Sequence, residues 1–376
     1  METSEQLPHG AVEAPDLAEL VRRTGPFLSV FLNTERHVAN AAQLSQTRWK
    51  TVRTDLPDKI VSEALLERID EIVPEAHLEG DGLVVIADAQ EILHVEHGPA
   101  LGRNDGATWG PVPGLLPIIR WRQSEPTYVV VMTDRTGADL FGFRRGSHEL
   151  HAEVEGEHDV IRKVQAGGWS QSRYQQRAED SWEQNAEQVA ERVTRLVDQI
   201  KPEFVAVAGD VRAVALLRGS LPERVRELVH VIEKEIPRKL EESDPLPEDV
   251  WALAEQHVRE RGEALLARFE EERGQHDKAV EGVEATARAL AMAQVAVLLI
   301  ADGSEDDRQL WFGPDPALLA PNDQELKELG VDSPDHGPAK DVLTRAALVT
   351  GAGVRVMEDS NVVNEGVGAL LRWASG

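Results

Sequence analysis

Residues 126–146 read PTYVVVMTDRTGADLFGFRRG, and this stretch decides the fold of the middle of the chain. An apolar run from Tyr128 to Met132 is followed by the turn residues Asp134 to Gly137 and by the alternating segment ADLFGFR. Two such runs on either side of a glycine-containing turn are typical of a β-hairpin. The stretch therefore predicts two antiparallel strands.

A long amphipathic helix is predicted after the hairpin. Six apolar residues recur at spacings of three and four in the segment 179–202, and they are Trp182, Ala186, Val189, Val193, Leu196 and Ile200. This period places them on one face of a helix, which Pro202 would end. Next come an apolar strand sequence, FVAVAG (204–209), and a helical sequence, VRAVALLRGS (211–220). Elements in this order predict a layered α/β domain.

Two segments with many prolines suggest where domains begin and end. Residues 101–117 are rich in glycine and proline, which predicts a loop, and residues 231–250 are charged and contain three prolines, which predicts a linker. A chain of 376 residues is long enough for two or three domains. We therefore predict the α/β fold class with three domains, at 1–118, 119–244 and 245–376.

The composition narrows the possible functions. The chain has no cysteine, which excludes disulfides and zinc–thiolate sites, and no apolar run of membrane-spanning length. Its first twenty residues contain acids and prolines, so we expect no secretory signal and a cytoplasmic location. The formal net charge of −27 disfavours nucleic-acid partners for the surface as a whole, because phosphate binding depends on Lys and Arg.

One segment departs from this acidic character. Residues 163–177 read KVQAGGWSQSRYQQR and contain no acid, and we predict a loop here. Adjacent glycines allow close backbone approach, aromatic side chains stack on bases, and basic side chains meet phosphates. The candidate RNA-binding residues are Lys163, Gly167, Gly168, Trp169, Gln171, Arg173, Tyr174 and Arg177. The alternative is an exposed connection whose basic residues neutralise nearby acids.

The sequence gives only weak signals for metal sites and for common catalytic motifs. His94 and His97 lie three residues apart on a predicted strand and so face opposite sides, which makes them poor partners for a metal. His148 and His151 lack the spacing of a helical zinc site. The sequence has no Walker motif and no G-x-S-x-G motif. We therefore expect neither a metal nor a cofactor.

The order of these pieces resembles a known family. The hairpin, the segment with Gly167, Gly168 and Gln171, the long helix and the strand FVAVAG resemble the middle domain of archaeal and eukaryotic class 1 release factors. Residues 274–300 and 358–373 are similar to the segments that open and close the release-factor C-terminal domain. The chain is thus similar to the bacterial archaeo-eukaryotic release factor family, in the branch related to the ribosome hibernation factor Balon.

This resemblance implies both an architecture and two functions. It implies an elongated molecule with an RNase H-like middle domain and a C-terminal α/β sandwich. It also implies a factor that occupies the ribosomal A site, with the acid-free segment in the peptidyl-transferase centre, where rRNA phosphates would repel a carboxylate. One function is ribosome hibernation. The alternative is a peptidyl-tRNA hydrolase that rescues stalled ribosomes, with Gln171 positioning the water as the catalytic residue.

Two departures from the release factors leave the enzymatic question open. Release factors carry Gly-Gly-Gln in direct succession, whereas Trp169 and Ser170 here separate Gly168 from Gln171. The N-terminal third also lacks the Asn-Ile-Lys-Ser type of motif that reads stop codons. The resemblance further implies elongation factor Tu as a partner of the C-terminal domain, and we expect a monomer that makes no membrane contact.

Overall fold

The computed structural model describes residues 10–56, 61–144, 147–155, 168–233, 247–275, 277–301, 308–358 and 362–373. The side chains of 147–150, 155 and 168–180 lie outside this description. The chain forms two compact units, of which one contains residues 1–123 and 261–376 and the other contains residues 124–260. No helix of the described part is long and apolar enough to cross a membrane. The division into three domains at 118 and 244 stays a prediction.

The N-terminal part of the first unit is an antiparallel sheet with helices on both faces. Its elements are α1 (Pro15–Leu20), β1 (Phe27–Asn33), α2 (Ala41–Asp55), α3 (Glu63–Ile72), α4 (Ala76–Glu79), β2 (Gly82–Ala87), β3 (Ile92–Gly98), β4 (Gly106–Gly110) and α5 (Leu116–Ser124). The strands lie in the order β3-β2-β1-β4. Leu28, Val30 and Leu32 of β1 pack with Trp49 and Ile69 in a core beneath α2 and α3.

The predicted loop at 101–117 is wrong in its second half. Residues Gly106–Gly110 form β4, which pairs antiparallel with β1, and α5 begins at Leu116. The sequence Gly-Ala-Thr-Trp-Gly has low strand propensity, because glycine supplies no side chain to pack. Its conformation is set by backbone pairing with β1, which is a tertiary effect.

The second unit is built on one mixed sheet. Its elements are β5 (Tyr128–Thr133), β6 (Gly137–Arg144), β7 (Ser147–Glu155), α6 (Gly168–Ile200), β8 (Phe204–Gly209), α7 (Val211–Ser220), α8 (Glu223–Arg226) and β9 (Val229–Val231), followed by the first half of α9 (Glu248–Gln275). The predicted hairpin is confirmed, since Tyr128 pairs with Phe143 and Thr133 with Ala138 in antiparallel register.

The sheet of the second unit has the predicted RNase H-like arrangement. Its order is β7-β6-β5-β8-β9, with β6 antiparallel to its neighbours and with β5, β8 and β9 parallel to one another. The apolar stripe of α6 packs on one face, where Val189, Val193 and Ile200 are buried against Val129 and Val207. Val250 and Ala254 of α9 cover the other face.

The C-terminal part of the first unit contains two sheets. Its elements after α9 are β10 (Ala279–Glu281), α10 (Val283–Ala291), β11 (Val295–Ala301), β12 (Gln309–Phe312), β13 (Leu319–Ala320), α11 (Asp323–Glu328), β14 (Asp335–Pro338), α12 (Ala339–Val349), β15 (Gly353–Met357), a 3-10 turn (Asn364–Gly366) and β16 (Val367–Leu371). The larger sheet has the order β10-β16-β11-β15, and the smaller has the order β13-β12-β14. Helices α10 and α12 cover the larger sheet, in keeping with the predicted C-terminal α/β fold.

The N-terminal and C-terminal parts share one hydrophobic core. Leu17 of α1, the next-turn residue Val21 and Phe31 of β1 belong to the same buried cluster as Leu343 and Ala346 of α12. Backbone bonds also join the parts, because Val12 and Val354 form an antiparallel bridge. The Gln123 side chain bonds both the carbonyl and the amide of Val356, at 2.8 and 2.9 Å. These contacts make 1–123 and 261–376 one unit.

A buried ion-pair network fixes α5 in the N-terminal part. The Arg122 side chain is 4% exposed and donates to both carboxylate oxygens of Asp16, at 2.9 and 2.6 Å, and of Glu96, at 3.0 and 2.7 Å. His94 Nε2 lies 2.7 Å from Glu96. Burial opposes ionisation of Glu96, but the bonds from His94 and Arg122 outweigh it and hold the pKa of Glu96 below its usual value.

We expect this network to make stability fall in acid. A carboxylate whose pKa is lowered by folding stabilises the native state above its unfolded pKa, and this contribution is lost as the pH falls through the folded pKa. Urea unfolding followed by tryptophan fluorescence should therefore show wild type losing stability more steeply than Glu96→Gln as the pH falls below about 4. Parallel stability curves for the two proteins would contradict the assignment of this effect to Glu96.

Candidate functional site at the end of the middle sheet

The candidate site lies where the parallel strands β5 and β8 end in the second unit. Their carboxyl ends meet the β5–β6 turn, the middle of α6 and the start of α7. In open α/β sheets, ligands bind beyond the carboxyl ends of the parallel strands. The acid-free segment singled out in the sequence lies on the same helix, in the first turns of α6.

The β5–β6 turn is held by its own aspartate. Asp134 Oδ1 accepts from the amides of Thr136 and Gly137, at 2.7 and 2.9 Å, and from the Thr136 hydroxyl at 2.6 Å. The Asp134 amide donates to the Gly137 carbonyl at 3.0 Å and closes the turn. Such side-chain-to-backbone bonds fix a turn without support from other elements. The turn therefore presents Arg135 in a defined place.

Arg135 links the turn to two helices. Its guanidinium lies 4.8 Å from the centre of the Trp182 ring on α6 and donates to Asp210 Oδ2 through Nε and Nη2, at 3.2 and 3.0 Å. The Asn185 amide nitrogen donates to the Arg135 carbonyl at 3.0 Å. Asn185 is 3% exposed, and its Oδ1 has no hydrogen-bond donor within the described part of the chain.

Asp210 caps α7 and holds Arg135 at the same time. Its Oδ1 accepts from the amides of Arg212 and Ala213, at 3.0 and 3.1 Å, which satisfies two helix N-terminal donors. Burial opposes ionisation, but the bonds from Arg135 and these amides outweigh it and keep the pKa of Asp210 below its usual value. The carboxylate therefore stays charged and bound at neutral pH.

The residue before Asp210 must be glycine. Gly209 has a φ of +132°, and a Cβ built on it would lie 1.8 Å from the Thr133 carbonyl oxygen. The same carbonyl accepts from the Asp210 amide at 3.0 Å. This close approach brings the ends of β5 and β8 together, and with them Arg135 and Asp210.

For the candidate residues of the acid-free segment, the structure describes only backbone positions. Lys163 and Gly167 lie outside the described residues. Helix α6 begins at Gly168, so its first turns contain Gly168, Trp169, Gln171, Arg173, Tyr174 and Arg177. The predicted loop is therefore wrong from Gly168 onward, and so is a helix start near 179. After Gly168 the segment has neither Gly nor Pro and is rich in Gln and Arg, which favour helix.

Helix α6 is longer than the sheet on which it packs. Its 33 residues span about 50 Å at ~1.5 Å each. The longest strand of the sheet, β7, has nine residues and spans about 30 Å. The buried positions of α6 in the described side chains begin at Asn185 and end at Ile200. The helix thus runs about 20 Å further than the sheet, with Gly168 at its N-terminal end.

Sequence reasoning found some parts of this site and missed others. The apolar stripe of α6 and the turn at Asp134 were predicted, whereas Arg135, Asn185 and Asp210 were not. A buried asparagine beside an apolar stripe and an aspartate directly before a helix are the signals that point to the last two. Within the described residues, no group of three His, Asp or Glu side chains could hold a metal ion.

Comparison with known proteins finds a family match that covers most of this unit. Residues 127–275 match the family model described as Bacterial archaeo-eukaryotic release factor family 2. The resemblance found in the sequence is therefore confirmed, since this segment matches that release-factor-like family. The narrower relation to the Balon branch stays a prediction.

Relatives of similar length occur in mycobacteria. The uncharacterized proteins Rv2629 and MT2704, from two strains of Mycobacterium tuberculosis, are each 28% identical to this chain over 365 residues, covering 95% of this chain and 96% of theirs. The similarity extends over the terminal parts as well as the middle unit.

Solved structures of translation proteins are also similar to this chain. The archaeal termination factor aRF1 matches at 14% identity and TM-score 0.26, covering 95% of this chain and 96% of that one. Archaeoglobus fulgidus Pelota matches at 14% identity and TM-score 0.33, covering 98% and 93%. Archaeal Pelota in a ribosome-bound model with ABCE1 matches at 13% identity and TM-score 0.38, covering all of both chains. At these TM-scores the structures carry no argument, and the family resemblance rests on the match of residues 127–275.

Removing the Asp210 carboxylate should destabilise the second unit. Asp210→Ala deletes both the N-cap of α7 and the partner of Arg135, so the free energy of unfolding should fall by about 1 kcal/mol or more. The matched control is Asp198→Ala, which breaks an exposed pair with Arg224 and should have a smaller effect. Urea unfolding of both variants is the measurement, and equal effects would contradict a capping role for Asp210.

Proposed function

We propose that this protein is a ribosome-binding translation factor that occupies the A site of idle ribosomes and preserves them. The observation that supports the proposal is the family match of residues 127–275 together with the position of Gly168 and Gln171 in the first turn of α6. A long helix with a packed C-terminal half can present its first turns to a partner without disturbing the core of its own unit.

The charge pattern supports an RNA-lined destination for this end of α6. The chain carries a formal net charge of −27, yet residues 163–177 contain Lys163, Arg173 and Arg177 and no acid. Arg173 and Arg177 are four residues apart in a helix and so share one side of its backbone. Cations grouped in this way suit contact with a phosphate backbone, whereas a carboxylate would be repelled.

Preservation of ribosomes requires less accurate positioning of the side chains in this segment than hydrolysis does. Binding depends on cations and stacking aromatics, which tolerate small displacements. Hydrolysis depends on a side chain placed so accurately that a shift of about 1 Å lowers the rate roughly a hundredfold. Trp169 and Ser170 lie between Gly168 and Gln171, so Gln171 does not stand directly after the glycine pair. For this reason we place hibernation before catalysis.

A second candidate function is peptidyl-tRNA hydrolysis on stalled ribosomes. One observation favours it, because Gly168 and Gln171 are three residues apart in a helix. In a helix that separation is only about 4.5 Å along the axis, against about 10 Å in an extended loop. Gln171 then stays within one turn of the glycine, where its amide could align a water.

The remaining assignments are proposals of the same kind. A translational GTPase, elongation factor Tu, is proposed as a partner of the C-terminal segment 245–376, whose acidic character suits a protein surface better than RNA. We also propose a cytoplasmic monomer with domains at 1–118, 119–244 and 245–376. These follow from the family and from the sequence.

The first test is ribosome binding as a function of salt. In sucrose gradients of lysate from starved cells, the protein should sediment with ribosomes, and elongation factor Tu should be enriched in the same fractions. Reversing Arg173 and Arg177 to Glu should weaken binding and lower the log–log salt slope by about one and a half units, because two phosphate contacts are lost.

The matched control reverses Arg192 and Arg195 to Glu in the packed half of the same helix. Both residues are exposed, and the change in net charge is identical. Binding of this control should stay close to wild type. A protein that remains at the top of the gradient, or equal effects of the two double reversals, would contradict the proposal.

The second test separates preservation from hydrolysis. Purified protein is added to ribosomes that hold radiolabelled peptidyl-tRNA, beside Gln171→Ala and the control Gln175→Ala, which lies one turn further along α6. If the factor only preserves ribosomes, no variant releases peptide above background. Release by wild type and Gln175→Ala that is lost in Gln171→Ala would establish the hydrolase instead.

A further inference from the structure

A pocket of about 570 Å³ lies in the first unit, far along the chain from the acid-free segment. Its walls come from the N-terminal part, through Pro26, Trp109 and Pro111, and from the C-terminal part, through Pro314 and Ser333. The volume falls within the range of about 300–1,000 Å³ that is usual for small-molecule sites. Arg345 of α12 also lines this pocket.

Arg345 is a buried cation held by backbone carbonyls. The residue is 5% exposed, and its guanidinium lies 4.8 Å from the centre of the Phe312 ring. Nε donates to the Val21 carbonyl at 3.2 Å, and the two terminal nitrogens donate to Gly313 and Pro314 at 3.5 and 3.4 Å. A guanidinium has five N–H donors, so two of them have no acceptor within the described residues.

The charge of Arg345 is not neutralised by a close carboxylate. Among the described residues, no Asp or Glu oxygen lies within ion-pair distance of it, and Asp315 and Asp335 act on it only from further away. Burial lowers the pKa of Arg345 to about 10, against the opposite influence of these two acids. A buried cation without a paired anion is unfavourable unless an anion joins it.

We propose that this pocket binds a small organic anion whose carboxylate or phosphate group pairs with the guanidinium of Arg345. The planar fork of an arginine matches both groups through two parallel hydrogen bonds. Trp109 and the three prolines offer an apolar wall to the body of the ligand, and Thr24 and Ser333 add hydroxyl-bearing side chains to the lining. The pocket is independent of the proposed ribosomal function.

The competing explanation is that Arg345 is purely structural. Its three bonds tie the end of α1, at Val21, to the turn at Gly313 and Pro314. In that case the open side of the guanidinium faces solvent in the pocket and has no ligand. The two explanations predict different results when a carboxylate is added to the pocket lining. The added carboxylate weakens anion binding only if the anion binds beside Arg345.

The test is isothermal titration calorimetry of the full-length protein with four probes. Adenosine monophosphate and inorganic phosphate represent phosphates, and benzoate and succinate represent carboxylates. At least one organic probe should bind with a stoichiometry of one. Comparing the affinities of the two phosphates with those of the two carboxylates shows which anionic group the pocket prefers. Absence of binding by all four at millimolar concentration would overturn the proposal.

Two variants with opposite expected effects locate the binding. Asp335→Asn removes a carboxylate that lines the pocket, so the affinity for the anion should rise severalfold. Ser333→Glu adds a carboxylate at an exposed position of the lining and should weaken binding by about tenfold. Gln324→Glu on α11 adds the same charge outside the lining residues and serves as the control.

Substitution of Arg345 itself provides the last check. Arg345→Lys keeps the charge but loses the planar fork of donors, so the affinity for the anion should fall more than tenfold. If this variant does not fold, the Ser333 and Asp335 variants decide the question. If both of those variants bind the probe as wild type does, the anion binds elsewhere and the proposal is wrong. Ribosome sedimentation of Ser333→Glu should stay unchanged, which separates this site from the proposed function.

Discussion

Burial of one face of α6 against the middle sheet is the interaction on which the second unit depends. Val189, Val193, Leu196 and Ile200 pack on β5 and β8, and this packing fixes where the helix axis runs. Because an α-helix is stiff over tens of ångströms, the packed half also sets the direction of its first turns. The position of Gln171 therefore follows from apolar contacts that lie about five to eight turns away along the same helix.

The strand ends reinforce this arrangement at its most crowded point. Gly209 approaches the Thr133 carbonyl, Asp210 caps α7, and Arg135 bridges Asp210 to Trp182. Each contact involves a different element of the unit. The sheet, the turn and both helices are thus joined by a small number of polar bonds at one end, while apolar packing holds the rest.

The sequence predicted the elements whose signals are local. The hairpin at 126–146 and the stripe from Trp182 to Ile200 were found because alternation and helical period are visible in single segments. The helix start at Gly168 was missed because a polar segment has no apolar period. Strand β4 and the burial of Arg345 were missed because both depend on partners more than 70 residues away in the chain.

The shared core of the chain's two ends has a consequence for the order of folding during synthesis. Domains usually fold from the N-terminus as they leave the ribosome. Here the N-terminal sheet lacks its partners Leu343, Ala346 and Val367 until nearly the whole chain has emerged. The middle unit, made of contiguous residues, can close first. Until then one face of the N-terminal sheet is covered only by α1 and α5, so a nascent chain that pauses before α12 exposes the rest of its apolar surface.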